Sequence, residues 1–182
     1  MANYQFRDLS PKRTCTRHYS DYHKYKKYLA EDFNHRCGYT NCIDKWFGGP
    51  RTFQIDHFKP RTKHPELETE YRNLVYCCSY VNRLKSDDED PRYLDPCDED
   101  YNLHFARTSD GTIFGKTDSG KFMTEKLSLN LNRYAIIWNL ERLEKRINLL
   151  DEKKNEYPEF KDTISELYTS YYKYITDLFD NQ

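Results

Sequence analysis

The sequence predicts an α+β fold, and three observations indicate it. A strand-like run, Thr52 to Ile55, is followed after a basic loop by a second run, Tyr71 to Val75, which leads into a helical stretch. Thr108 to Ile113 contains an Asp-Gly pair that is typical of a β-hairpin turn. The C-terminal third carries apolar residues at helical spacing. We therefore expect a small ββα core with an N-terminal helix, a β-hairpin insertion and a C-terminal helical hairpin.

The composition bounds the class of protein. The chain has 182 residues, of which 37% are hydrophobic and 32% charged, as expected for one soluble domain with an appendage. No apolar run approaches a membrane span and no secretory signal is visible, so we expect a cytoplasmic protein without membrane contact.

The charge is distributed unevenly along the chain. Residues 1–64 carry thirteen Lys/Arg against six Asp/Glu, whereas residues 65–182 carry sixteen against twenty-four. If this asymmetry is also spatial, it predicts contact with a polyanion.

The first third of the chain contains a basic arm and a helix. For the arm, residues 1–19, two interpretations stay open: contact with a nucleic-acid backbone, or a solvated tail. Ser20 or Asp21 is expected to cap a helix that ends at about Phe33. Its apolar stripe consists of Tyr22, Tyr25, Leu29 and Phe33. Three lysines lie mostly off that stripe and face either DNA or water: Lys24, Lys26 and Lys27.

The central stretch carries residues suited to metal binding and to proton transfer. Asp56 and Asn82 offer the oxygen ligands that Mg²⁺ prefers, and His57 has the side chain best suited to act as a base at neutral pH. Adjacent strand residues point to opposite faces, so Asp56 and His57 serve one point only if the backbone bends there. The following Phe58-Lys59-Pro60 is expected to stop the strand.

The order Asp56-His57, Asn73, Asn82 and Lys85 resembles the motif of HNH endonucleases, which have the ββα-metal nuclease fold. The resemblance implies metal-dependent cleavage of DNA to 3′-hydroxyl and 5′-phosphate ends. It implies His57 as general base, Asp56 and Asn82 as ligands of Mg²⁺ or Mn²⁺, and Asn73 as the residue that orients the base. It also implies phosphate contacts by basic residues, for which the candidates are Lys59, Arg61, Lys63 and Lys85.

A weaker resemblance extends over roughly residues 20–145. Leu94-Asp95-Pro96-Cys97, His104-Phe105 and Asp110-Gly111 with Ile113 follow the order found in a bacterial HNH subgroup that includes nucleases of Septu-type anti-phage systems. This implies a role in host defence or restriction, with a defence-system protein as a candidate partner. His104 is expected to be structural.

The cysteines leave two interpretations open. Many HNH proteins hold a structural zinc between two cysteine pairs, and Cys37, Cys42 and Cys78 match three of those positions. The first pair is spaced Cys-x4-Cys, and Val81 occupies the fourth position, which cannot bind zinc. A zinc site would therefore need another ligand, and otherwise these thiols are buried core residues.

The C-terminal third is predicted to form two helices that start near Asn130 or Asn132 and near Pro158. The expected division is 1–19 as the arm, 20–126 as the nuclease core and 127–182 as the helical hairpin. The first helix should pack on the core and the second on the first, leaving Tyr168, Tyr172 and Tyr174 for a homodimer or partner contact.

Two other functions stay open, a non-catalytic nucleic-acid-binding module and an RNase, since no motif reads a 2′-hydroxyl.

Overall fold

A computed structural model describes residues 3–180 and has the α+β architecture that the sequence predicts. The strands are β1 (Tyr4–Gln5), β2 (Phe53–His57), β3 (Leu74–Cys78), β4 (Phe105–Arg107) and β5 (Ile113–Gly115). The α-helices are α1 (Lys26–Asp32), α2 (Ser79–Lys85), α3 (Tyr101–His104), α4 (Asp118–Lys126), α5 (Asn132–Asp151) and α6 (Phe160–Asp180). The strands form one two-stranded and one three-stranded sheet, and α5 and α6 form the expected helical hairpin.

The β2–β3–α2 unit contains the residues of the candidate site. β2 and β3 are antiparallel, with Phe53 opposite Cys78 and Asp56 opposite Val75. Every residue of β3 is buried, as expected for a run of apolar side chains and cysteines covered on both faces. The predicted boundaries shift along the chain here. Tyr71–Asn73 is a 3₁₀ turn, and the second strand extends to Cys78, because Cys77 and Cys78 pair with β2 before α2 begins at Ser79.

The three-stranded sheet contains the predicted β-hairpin and one strand that the sequence did not indicate. β4 and β5 pair antiparallel around the Asp-Gly turn, where Gly111 has a φ of +94° that favours glycine. β1, from the N-terminal arm, pairs with β4 and places Tyr4 opposite Arg107. The arm is therefore part of the fold.

Two arginines of the arm, Arg7 and Arg13, bind to the core. For these two residues, both interpretations of the arm, contact with nucleic acid and a solvated tail, are wrong. The buried Arg7 guanidinium donates to the carbonyl oxygens of Pro96 at 2.9 Å and Glu99 at 3.0 Å. Arg13 donates two hydrogen bonds of 2.9 Å to the Asp95 carboxylate. Both guanidinium groups have internal oxygen partners, although the buried Nε of Arg7 has none within residues 3–180, because the arm crosses a part of the core that offers several oxygen acceptors. Basic residues that stay exposed on the arm are Lys12, Arg17 and His18.

The N-terminal helix forms as a 3₁₀ turn, Tyr22–Tyr25, that continues into α1. Asp21 caps it, since its carboxylate accepts a hydrogen bond of 3.0 Å from the His23 main-chain N–H. Of the predicted stripe, Tyr25, Leu29 and Phe33 are buried in the core. Tyr22 is only partly buried, and it lies beside His57.

The C-terminal hairpin packs in the predicted order. α5 contributes Tyr134, Ile137 and Leu140 to the main core, and α6 packs along α5. Arg36 and Lys45, which precede the candidate site in the chain, form ion pairs with glutamates of α5 at 2.7 and 2.6 Å. Among the helices of residues 3–180, none is long and apolar enough to cross a membrane.

The outer face of α6 yields a prediction about assembly. Tyr168 and Tyr172 are 47% and 70% exposed, whereas Tyr174 is partly buried against the core and is not part of that face. Tyrosine rings suit an interface because they combine an apolar ring with a polar tip. If this face binds a second copy, light scattering at micromolar concentration should give a dimer mass, and Tyr172→Asp should give the monomer mass. A monomer in both proteins would contradict self-association.

Candidate functional site

Asp56 and His57 leave β2 on opposite faces of the sheet. β2 stays extended through His57, so the usual alternation of strand side chains applies to both residues. Asp56 reaches the side chains of Tyr39 and Lys85, whereas His57 reaches the main chain of Glu68. Our expectation of a backbone bend between Asp56 and His57 was wrong, because pairing with β3 keeps both residues in the extended conformation. The two side chains therefore do not converge on one point.

The imidazole of His57 has one nitrogen committed to a hydrogen bond. His57 Nε2 lies 2.9 Å from the carbonyl oxygen of Glu68, which only accepts, so Nε2 carries the proton and Nδ1 keeps its lone pair in the neutral ring. Tyr22 contacts the ring edge-on, with 4.7 Å between ring centroids. Burial lowers the pKa of His57 below its ordinary value, which keeps the ring neutral at neutral pH. This arrangement provides an unprotonated base nitrogen.

Asn73 connects the two ends of the loop that follows β2. Its Oδ1 accepts a hydrogen bond of 2.8 Å from the Lys59 main-chain N–H, and its Nδ2 donates to the carbonyl oxygens of Lys59 at 3.0 Å and Leu67 at 3.3 Å. Leu67 directly precedes Glu68, whose carbonyl holds the ring of His57. Asn73 is therefore a positioning residue in this structure, and it acts on His57 through the loop.

Asp56 and Lys85 form a buried ion pair. Lys85 Nζ lies 3.3 Å from Asp56 Oδ1 and 3.2 Å from Oδ2, and it also donates to the His57 carbonyl oxygen at 2.9 Å. Asp56 Oδ2 accepts a hydrogen bond of 2.6 Å from the Tyr39 hydroxyl. Burial raises the pKa of the Asp56 carboxyl, against the opposing effects of Lys85 and Tyr39. The expected contact of Lys85 with phosphate was wrong, because its side chain is fully buried and its ammonium group is bound to Asp56 and the His57 carbonyl oxygen.

Asn82 and Asp56 bind separate partners. The Asn82 amide nitrogen donates to Gln54 Oε1 at 2.7 Å, which leaves the amide oxygen for other contacts. The oxygen types suit Mg²⁺. The Asp56 carboxylate, however, is 4% exposed and already faces the ammonium group of Lys85. A divalent ion beside it would be repelled by that charge, so these residues do not fit a preformed metal site.

The loop cations expected to contact phosphate differ in their surroundings. Lys59 is exposed. Arg61 binds the Glu68 carboxylate at 3.1 Å, and Lys63 lies 4.0 Å from the Glu89 carboxylate. Both of these pairs lie at the surface, where an ion pair contributes at most about 1 kcal/mol. A phosphate could replace either carboxylate at little cost, so all three residues stay candidates for nucleic-acid contact.

The three cysteines of the expected zinc site are buried, but their thiols have different partners. Cys37 and Cys78 Sγ are 3.9 Å apart. The Cys42 thiol donates to the carbonyl oxygens of Thr40 at 3.8 Å and Tyr134 at 4.0 Å, and burial raises its pKa to about 12. Residues 3–180 contain no group of three or more His, Cys, Asp or Glu side chains that could hold a metal ion. The zinc site therefore stays a prediction from the sequence.

Two tyrosines contact residues of the candidate site, and the sequence did not indicate either contact. Tyr22 was assigned to an apolar helix stripe, although it contacts His57. Tyr39 follows Cys37-Gly38 without any recognisable motif, and it binds Asp56. Neither had a sequence signal, because both contacts join segments that are distant in the chain. His104 is structural as expected, with Nδ1 2.9 Å from the Thr117 hydroxyl.

A scan against models of known protein families, a search of curated proteins and a search of solved structures each found no match to this chain. The functional interpretation therefore depends on the residues and geometry described above.

Proposed function

We propose that this protein is an endonuclease of the HNH type that hydrolyses phosphodiester bonds in DNA. The observation that carries the proposal is the state of His57. Its Nε2–H is bound to the Glu68 carbonyl oxygen and its pKa is lowered by burial, so Nδ1 is unprotonated at neutral pH. A general base needs this combination of a fixed ring and a free lone pair. The β2–β3–α2 order and the hydrogen bonds of Asn73 support the same proposal.

In the proposed reaction, His57 Nδ1 takes a proton from a water molecule as its oxygen attacks phosphorus. The new P–O bond forms as the bond to the 3′ oxygen breaks, and that oxygen takes a proton from solvent. The products are a 5′-phosphate and a 3′-hydroxyl. Asn73 keeps the Glu68 carbonyl in place throughout, and Lys59 and Arg61 lie on the adjoining loop, where cations attract the phosphate backbone.

A requirement for Mg²⁺ or Mn²⁺ is part of the proposal, and it comes from the resemblance to HNH endonucleases. For Asp56 to act as a ligand, its ion pair with Lys85 has to open. The purified protein, incubated with plasmid DNA, should cleave it in the presence of Mg²⁺ or Mn²⁺ and leave it intact with EDTA. Cleavage at an unchanged rate in EDTA would contradict the metal requirement, while no cleavage with any divalent ion would contradict the proposed activity.

A role in host defence or restriction is proposed from the weaker resemblance to the Septu-type subgroup. A defence-system protein is the partner that this role implies. A measurable consequence is protection of bacteria against phage infection when the protein is expressed together with such a partner, and loss of protection with His57→Ala.

A non-catalytic nucleic-acid-binding module is the second candidate. The buried Asp56–Lys85 pair favours it, because a carboxylate held in this way cannot bind a metal without rearrangement. The two candidates differ in one outcome: the module binds nucleic acid without cleaving it, and His57→Ala leaves that binding unchanged.

The lowered pKa of His57 predicts the pH dependence of cleavage. The reactive form of His57 is unprotonated, so the rate should rise with pH through its pKa and then stay level. Because burial places that pKa below its ordinary value, the rise should be centred below about pH 6.5. Single-turnover cleavage rates between pH 4.5 and 8.5 would measure it. A rise centred above pH 7 would contradict the assignment of His57 as the base.

A further inference from the structure

The segment from Arg17 to Tyr28 presents cations that have no carboxylate partner. Arg17, Lys24 and Lys27 are exposed, and the ion pairs found within residues 3–180 include none of them. The segment contains four Lys/Arg and a single acidic residue, Asp21. The Asp21 carboxylate already accepts hydrogen bonds from the main-chain N–H and ring Nδ1 of His23. The surface is therefore positively charged without internal neutralisation, unlike the loop that carries Arg61 and Lys63.

The same cations lie against tyrosine rings. Arg17 Cζ and Lys27 Nζ are 5.6 and 4.9 Å from the centroid of the Tyr28 ring, and Lys24 Nζ is 6.0 Å from that of Tyr19. Tyr19 and Tyr28 stack at 6.2 Å, and their hydroxyl groups are 3.0 Å apart. This tyrosine–cation surface is defined by Arg17, Tyr19, His23, Lys24, Lys27 and Tyr28. Cations that alternate with aromatic rings suit a ligand that has both phosphates and planar bases.

A two-ring stack connects this surface to the base. The rings of Tyr22 and His23 stack with centroids 4.0 Å apart and an interplanar angle of 27°. Tyr22 also contacts His57 edge-on, with 4.7 Å between the ring centroids. The His23 side chain is 72% exposed, so the outer end of the stack faces solvent within two ring contacts of the proposed catalytic nitrogen. A planar base could continue this stack.

We propose that the tyrosine–cation surface binds single-stranded nucleic acid, with an unpaired base stacked on His23 and the backbone directed past Tyr22 to His57. The proposal rests on the proposed function for its choice of substrate. Stacking decides in favour of a single strand, because the bases of a duplex are stacked on each other and only an unpaired base offers a free face to a side chain. Arg17, Lys24 and Lys27 then neutralise the phosphates that the strand brings to the surface.

Binding to fluorescent oligonucleotides tests the proposal without requiring cleavage. The probes are a 20-nucleotide single strand of mixed sequence and the same strand in a duplex, measured by anisotropy in EDTA with the full-length protein. The wild type should bind the single strand at least roughly tenfold more tightly. Lys24→Ala/Lys27→Ala should weaken single-strand binding and lower the slope of log affinity against log salt by about 1.4, for two lost phosphate contacts. The control Lys161→Ala/Lys173→Ala removes two exposed lysines of α6 and should change neither quantity.

Two substitutions of His23 separate stacking from charge. His23→Ala should reduce single-strand affinity roughly tenfold and leave duplex affinity unchanged, because one stacked base loses its partner. His23→Phe keeps an aromatic ring without the imidazole and should retain the wild-type preference. Loss of the preference in His23→Phe, or its persistence in His23→Ala, would overturn the stacking role.

The two proposals fail in distinguishable ways. A protein that prefers single strands and loses this preference in His23→Ala, but cleaves no DNA, supports the binding surface and contradicts the nuclease activity. A protein that cleaves plasmid DNA through His57 but binds both probes equally, with Lys24→Ala/Lys27→Ala no different from the α6 control, supports the nuclease and overturns the binding surface.

Discussion

His57→Ala should abolish DNA cleavage while the protein stays folded and binds nucleic acid. Removal of a general base typically reduces the rate by about 10²–10⁴-fold. The loss should be near this range because His57 Nδ1 is the unprotonated nitrogen of a ring held by the Glu68 carbonyl oxygen. The side chain is largely buried but lies at the end of β2, so its truncation leaves the ladder with β3 intact. Single-turnover cleavage in Mg²⁺ is the measurement, with circular dichroism as the check of folding.

His104→Ala is the matched control for this experiment. His104 is also partly buried and also has one ring nitrogen in a hydrogen bond, to the Thr117 hydroxyl. It belongs to α3, and its ring nitrogens lie near Thr117 and Glu99. His104→Ala should therefore cleave at the wild-type rate. If His57→Ala cleaves as fast as His104→Ala, the assignment of His57 as the base is wrong.

Lys85→Met should reduce the free energy of unfolding by about 3–5 kcal/mol, since it leaves the buried carboxylate of Asp56 without its counter-charge. For a chain of this size, a loss of that magnitude lowers Tm by roughly 6–20 °C. The deficit should shrink at acid pH, because a buried carboxyl without a cation has a raised pKa and becomes neutral when it is protonated. Urea and thermal denaturation at pH 7 and pH 5 would measure both effects.

Two further variants separate the ion pair from a general effect of lysine removal. Lys126→Met breaks the ion pair with Asp88, which has a similar distance of 3.0 Å but is substantially exposed. It should cost less than about 1 kcal/mol. Asp56→Asn combined with Lys85→Met removes both buried charges and should recover part of the stability lost in Lys85→Met. Equal stability of Lys85→Met and Lys126→Met would show that the Asp56–Lys85 contact does not stabilise the fold.

The experiments on His57 and Lys85 test side chains on opposite faces of β2. From the sequence we expected both side chains in one site. Asp56, His57, Asn82 and Lys85 were all expected near one metal and one phosphate. The structure separates them into the buried ion pair of Asp56 and Lys85 and an imidazole on the opposite face of β2, beside Tyr22. In this arrangement the ammonium group of Lys85 is paired with Asp56, and the hydrogen bond from His57 to Glu68 uses Nε2 and leaves Nδ1 unused.

The sequence by itself determined those features that follow from local chemistry. The period of the apolar residues in α5 and α6 indicated two helices, and the Asp-Gly pair indicated the turn at Gly111 with its positive φ. The resemblance to HNH endonucleases predicts His57 as a base and Asn73 as the residue that orients it, and the structure shows that Asn73 hydrogen-bonds to Lys59 and Leu67 in the loop after β2. Each of these signals is a pattern along one continuous stretch of the chain.

The tertiary structure alone decided which side chains are buried and what they contact. Tyr39 and Lys85 lie 17 and 29 residues from Asp56 in the chain, and both bind its carboxylate. Likewise, the sequence indicated that Arg7 and Arg13 belong to a basic tail. In the structure, Arg7 binds the Pro96 carbonyl oxygen and Arg13 binds the Asp95 carboxylate. The physical reason is that a strand or arm has no preferred face of its own. The segments that pack against it decide which charges lose water, and those segments are distant in the sequence.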